Sequence, residues 1–164
     1  MKLPMYIVLF LLGLAIAHGI YFYPLLPDIV GSHYGVTGKV NHSLPKLAYF
    51  MLYFVSLVIT SSFAVVLPLA LKYLPLSLIN LPHREYWLSD EHKEETLSFF
   101  NVHMSWFSVA TTLFTIAIFH LTFQASLSKI GELNMFMFWG LFGAFFLFMI
   151  WWTVVLLRRF SAPS

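Results

Sequence analysis

PLLPDIVGSHYGVTGKVNHSLP, Pro24 to Pro45, is a 22-residue polar connection between two apolar runs, Leu3–Tyr23 and Leu47–Leu71. Each run is long enough to cross the hydrocarbon of a bilayer as a helix, which takes about 20 residues. The connection holds three prolines, three glycines, an aspartate and two histidines, none of which a simple linker requires. Two further runs, Leu97–Phe123 and Met135–Leu157, complete a set of four, and none contains Asp, Glu, Lys or Arg. The 164-residue chain is 60% hydrophobic and 10% charged, against roughly 25% charge in soluble domains. The reading is an integral membrane protein.

The expected fold is all-α: a single four-helix transmembrane bundle over residues 1–164, with helices at about 3–23, 47–71, 90–123 and 135–157. The polar connection becomes a structured extracytoplasmic loop. Within it Val36-Thr37-Gly38-Lys39 reads as a turn between two short extended arms, with prolines restricting the loop ends and glycines allowing the turns. The third helix is expected to start near Asp90, because Ser89 followed by Asp90 and Glu91 matches a helix start, a hydroxyl cap and then acids at the positive dipole end. Ahead of it, Tyr73–Pro82 is apolar but broken by Pro75 and Pro82, so it is expected to lie in the interface or under the bundle. Tyr86 and Trp87 are expected at headgroup depth, where aromatic residues collect.

Orientation follows from Lys and Arg in the loops. With the N-terminus inside, Lys2, Lys72, Arg84, Lys93, Arg158 and Arg159 are inside and Lys39, Lys46 and Lys129 outside. Both termini are therefore expected in the cytoplasm and the Pro24–Pro45 loop outside. Ala15-Ile16-Ala17 resembles a signal-peptide cleavage site, but the apolar run continues to Tyr23, and an uncleaved first helix is expected.

The third span carries an internal pattern. Asn101, Ser105, Ser108, Thr112, Thr115, Phe119 and Thr122 recur at steps of four and three, drawing one seam down the helix. A helix–helix packing seam is the main reading and a polar permeation path the other. Ser56, Thr60, Ser61 and Ser62 are its expected partners, and Gly140, Gly143 and Ala144 give the last helix a close-approach face.

Chemistry is sparse. The chain has no cysteine, which removes disulfides, thiolate nucleophiles and cysteine-ligated metals. The net charge of +2 gives no basis for nucleic-acid binding. His18, His33, His42 and His120 fall toward the outer side and are the candidate metal ligands, although no pair has compact ligand spacing. His103 lies inside the third span, where an ionisable group is a functional candidate by default. The acids Glu85, Asp90, Glu91, Glu94 and Glu95 read as a solvated face. There is no GxSxG, HExxH, P-loop or GxGxxG, so no enzyme activity and no cofactor is expected.

LPDIVGSHYGVTGKVNHSLPK resembles the signature of the bacterial SdpI-like family, in its N-terminal domain of unknown function. The matching positions are Leu26, Pro27, Asp28, His33, Tyr34, Gly38 and Lys46. The stretch NLPHREYWL, with Pro82, Tyr86 and Trp87, resembles a segment that follows in relatives of this domain. Gly31-Ser32 before His33, Gly35 after Tyr34 and Asn41-His42 depart from the pattern, and the typical second half is absent. The resemblance implies a bacterial inner-membrane protein; its best understood kind is an immunity factor against a secreted toxin that can hold a transcription repressor at the membrane. The expected function is non-enzymatic recognition, immunity or signalling through the outer loop. The expected partners are membrane lipid and a protein at the outer or inner loop, and the oligomeric state is open. The alternatives are a small transporter or channel subunit using Ser105, Ser108, Thr112 and Thr115, and a metal-dependent membrane enzyme using the four outer histidines.

Overall fold

The structure, a computed structural model, describes residues 2–73, 75 and 78–161, excepting the side chains at 2, 67, 68, 71 and 72. Its elements, in order, are α1 (Lys2–Phe22), β1 (Ile29–Tyr34), β2 (Val40–Pro45), α2 (Lys46–Tyr73), α3 (Arg84–Trp87), α4 (Lys93–Leu127) and α5 (Met135–Phe160). Helices α1, α2, α4 and α5 are long and apolar enough to cross a membrane. The connection Tyr73–Pro82 falls partly outside the described residues.

The fold is mostly helical, but the expectation of an all-α chain is corrected by a two-stranded antiparallel sheet. The turn at residues 36–38 joins its two arms. Gly35 N–H donates to Lys39 O at 2.8 Å and Gly38 N–H to Gly35 O at 2.9 Å. Gly38 takes φ 85°, a left-handed conformation that glycine adopts without a Cβ penalty. Ile29 and Val30 open β1 with β-branched residues, and Ile29 pairs with Pro45, Val30 with Leu44 and Gly31 with Ser43. The register then slips on either side of His33, which lies opposite His42. Such irregularities re-aim side chains near a strand end.

The main core lies between α1, α2 and α4 and under the hairpin, built around Ala15, Val30, Tyr53 and Phe123, each fully buried. Helix α5 packs chiefly on α4. Its Gly140 and Gly143 do not form the expected close-approach face: a Cβ at either position would meet nothing within 4 Å.

At the opposite end from the hairpin, the start of α4 differs from the expectation. The helix begins at Lys93 after His92, which makes no side-chain cap. The Ser89 hydroxyl donates instead to Tyr86 O at 2.8 Å, closing α3, so a local side chain-to-backbone bond competes with the capping role. Trp87, expected among the interfacial aromatics, is enclosed by protein. It is 3% exposed, edge-on to Phe160 at 5.4 Å and under the Arg159 guanidinium at 5.0 Å. Arg159 also pairs with Glu95, so the two helix ends and α3 close on one another.

Candidate functional site: a docked hairpin and the polar layer beneath it

The hairpin has two unlike faces. Leu26, just ahead of β1, and Val30 within it enter the core at 2% and 0% exposure. The Tyr34 phenol reaches α4, 3.4 Å from both Thr122 O and Ser126 Oγ. Burial pushes this phenol above its ordinary range, with the Ser126 hydrogen bond acting in the opposite sense. Gly38 O accepts from Leu133 N–H at 2.8 Å, which fastens the hairpin tip to the α4–α5 connection. A Cβ at Gly38 would come within 2.5 Å of Leu133 O, so close approach and left-handed backbone both demand glycine here. Lys46 ties the base: its N–H donates to Asp28 O at 2.8 Å and its ammonium to Leu26 O at 2.9 Å. The Asp28 carboxylate is 3.7 Å from the same ammonium but 99% exposed, and a solvated pair of that kind adds little.

The opposite face is presented to the surroundings. Asp28, His33, Val36, Lys39 and Asn41 are all exposed, and Val36 is 88% so. The candidate motif therefore divides. Leu26, Tyr34, Gly38 and Lys46 dock the hairpin, while Pro27, Asp28 and His33 face outward. A cavity of about 230 Å³ opens beside His33, between the hairpin and the adjoining ends of α4 and α5, with Ile118, Leu133 and Phe138 in its wall.

Beneath the hairpin a polar layer crosses the bundle. Tyr49 and Thr122 share a hydrogen bond between their hydroxyls, and Thr122 O is the carbonyl facing Tyr34. His18 Nε2 meets His120 Nδ1 at 3.0 Å, and His18 Nδ1 meets the Tyr53 hydroxyl at 3.2 Å. Tyr53 also reaches Ala15 O at 3.4 Å. Phe22 and Phe123 pack on the His18 ring at 4.7 and 5.2 Å. Tyr49 and Tyr53 carry the α2 side of this layer. Their spacing of one helical turn inside an apolar run was the available signal, and the sequence reading did not use it.

The four candidate metal ligands separate into two pairs. His18 and His120 meet inside the bundle. His33 and His42 are opposite each other on the hairpin, where His42 Nδ1 takes Ser32 Oγ at 3.1 Å. Among the described residues no group of three or more histidines and carboxylates comes together.

The seam residues of α4 face α2 at their centre. Ser108 Oγ lies 2.9 Å from Thr60 O and 3.1 Å from Ser61 O, and Thr112 Oγ1 reaches Thr60 Oγ1 at 3.5 Å. Both are fully buried. Ser105 and Thr115 donate back to carbonyls of their own helix, at Asn101 and Thr111. Ser56 and Ser62 likewise bond within α2. His103 is stacked between Phe99 and Trp152, with centroids at 5.1 and 4.4 Å, and its carbonyl accepts from Trp152 Nε1 at 3.1 Å. Of the inner-loop motif, Pro82 is exposed, Tyr86 half-buried beside His92 at 4.3 Å, and Trp87 enclosed. The acids Glu85, Asp90, Glu91, Glu94 and Glu95 are all exposed.

Residues 10–57 match a family described as a domain of unknown function (DUF1648). That segment runs from within α1 through the whole hairpin to Leu57 of α2 and includes His18, Tyr49 and Tyr53. No curated protein and no solved structure matches the chain.

Proposed function

We propose that this is a non-enzymatic, multi-pass protein of the bacterial cytoplasmic membrane, of the SdpI-like type, with both termini in the cytoplasm. Its hairpin acts outside as a recognition element, in immunity or signalling. The observation that carries this reading is the division of the hairpin into a docked face and a presented face. Docking through Leu26, Val30, Tyr34, Gly38 and Lys46 fixes the backbone, so a partner meeting Asp28, His33 and Val36 meets a surface already ordered. Ordering a loop on binding costs free energy, and preorganisation removes that cost. A simple linker needs no such anchorage; a loop that is both long and fastened is the kind that carries function. The match to a domain of unknown function over this same helix–hairpin–helix segment supports treating it as the working unit.

Two experiments test the proposal. The chain lacks cysteine, so Val36→Cys introduces a single thiol, and a membrane-impermeant maleimide should label it in intact cells. Labelling only after lysis places the hairpin on the other side. For function, a deletion strain challenged with secreted peptide toxins should be rescued by the wild-type gene. The combined variant Asp28→Ala, His33→Ala and Val36→Ala should fail to rescue at equal membrane abundance. Full rescue by that variant removes the presented face from the function. Gly38 is left out of the variant because it belongs to the docking contacts.

A further inference from the structure

Two half-buried histidines from different helices meet within the membrane-spanning part of the bundle, and the recognition surface uses neither. His18 lies four residues before the end of α1, roughly 6 Å along the helix axis from the hairpin end. His120 comes from α4, and the contact between them spans 102 positions of sequence. Ionisable groups in such a place are costly unless paired. We propose that His18 and His120 form a binding site for one proton, relayed to the Tyr53 hydroxyl, and that a second proton breaks the contact between α1 and α4.

The geometry identifies the contact as a direct N–H···N hydrogen bond. His18 Nε2 and His120 Nδ1 are 3.0 Å apart, while the ring centroids are 5.3 Å apart. Nearly a full ring radius therefore lies on each side of the contact, and the nitrogens meet end on.

The chain of partners fixes how many protons the site holds. A neutral imidazole has one donor and one acceptor nitrogen. In one neutral arrangement Tyr53 O–H donates to His18 Nδ1, and His18 Nε2–H donates to His120 Nδ1. In the other, Tyr53 O–H donates to Ala15 O, His18 Nδ1–H donates to the Tyr53 oxygen, and His120 Nδ1–H donates to His18 Nε2. The second arrangement leaves a lone pair on His120 Nε2, which has no protein partner among the described residues. A proton added there completes an imidazolium whose Nδ1–H still donates to His18 Nε2. Every bond survives, and the central one becomes charge-assisted and stronger. A second proton would set N–H against N–H at the 3.0 Å contact, which must then open.

The groups facing the pair leave the imidazoles to hold that charge. Helix α2 brings the Tyr53 hydroxyl to His18 and the Tyr49 hydroxyl to Thr122. The hairpin brings the Tyr34 hydroxyl to Thr122 and Ser126, and α1 adds the Phe22 ring. Of the charged residues at this end, Lys46 and Asp28 face each other. Among the described residues no carboxylate, lysine or arginine bonds to the pair. Thr122, two residues beyond His120, holds both Tyr34 and Tyr49, so an opened contact falls at the hairpin's own attachment.

The test uses the full-length protein in lipid nanodiscs with ¹⁵N-labelled histidine. A through-hydrogen-bond ¹⁵N–¹⁵N coupling should join His18 Nε2 and His120 Nδ1 at neutral pH. On acidification it should persist through the first proton and vanish with the second. His18→Phe should abolish the coupling. Tyr53→Phe keeps both imidazoles, so it should keep the coupling while shifting the pH at which the first proton enters. Independent one-step titrations without coupling would overturn the site, as would loss of coupling at the first proton. An unchanged first step in Tyr53→Phe would overturn the relay. Stoichiometric zinc in protein purified without chelators, lost in His18→Phe, would replace the proton site with a metal site.

Discussion

Helices α4 and α5 are neighbours of similar kind that behave in opposite ways. Helix α4 has the lowest mean hydropathy of the four long helices, 1.5, and the largest buried share, 44% of its most apolar window. Helix α5 has the highest, 2.2, and none of that window is buried. Between them α1 and α2 keep the same order, at 2.1 with 28% and 2.0 with 33%. In water the most apolar helix goes to the middle. In lipid, hydrocarbon tails are as apolar as leucine, so apolar surface gains nothing by meeting another helix. What does gain is small and hydroxyl side chains that permit close packing and interhelical hydrogen bonds. Ser108, Thr112 and Thr122 place α4 at the centre for that reason.

The comparison is broken most strongly at the last residue of α5. Phe160 is 2% exposed, stacked on Phe100 at 5.1 Å and edge-on to Phe99 at 5.6 Å. The helix that buries none of its apolar window is thus clamped at its end, where α3 and α4 meet it. Phe160→Ala should destabilise the protein by about 3–5 kcal/mol, the usual range for emptying an aromatic site, measured by denaturant unfolding in detergent micelles. A loss comparable to that of an exposed α5 residue would mean that the clamp contributes nothing.

Next comes the centre of α4. Ser108 is fully buried and directed at the backbone of α2. Ser108→Leu raises the hydropathy of the span yet should cost about 1–3 kcal/mol through overpacking. A stabilised variant in the same unfolding assay would show that hydropathy, not fit, orders these helices.

Much of this was legible in the chain. Four spans were readable because charge and its absence mark them directly, and the two arms of the hairpin because Val36-Thr37-Gly38-Lys39 has turn chemistry. Other facts were not. Trp87 carries the same amphipathic side chain whether it lines an interface or fills a core, and only Phe160 and Arg159 decide. Ser89 has a cap-like setting, but its hydroxyl had a nearer acceptor in Tyr86 O. Gly140 and Gly143 mean close packing only where a helix arrives, and none does. The meeting of His18 with His120 depends on how two helices are rotated about their axes, which no local spacing records. The motif itself was visible, but its division into docking and presented residues needed the register of the sheet and the position of α4.

A smaller effect sharpens the part played by hydrogen bonds. Tyr49→Phe removes the hydroxyl that meets Thr122 and leaves the ring between Phe119 and Phe123. Interhelical hydrogen bonds in membranes average about 0.6 kcal/mol and reach roughly 1.7, and the loss should fall in that range. Adding Thr122→Val should cost less than the sum of the two single changes, because the partners are already separated. Strict additivity would show that the two hydroxyls stabilise the fold independently of each other.

The smallest effect is expected on α5, and it is the most informative. Leu147 is 68% exposed, so Leu147→Ala in micelles should change stability by no more than about 0.5 kcal/mol, as for surface positions generally. The same substitution in a protein core would cost several times as much, so the near-zero result would itself establish that protein does not cover this face. A loss as large as that of Ser108→Leu would mean instead that protein covers the face. Helix α5 would then be packed as closely as α4, with its packing supplied by another chain, and the inverse order of hydropathy and burial would hold for the isolated chain alone.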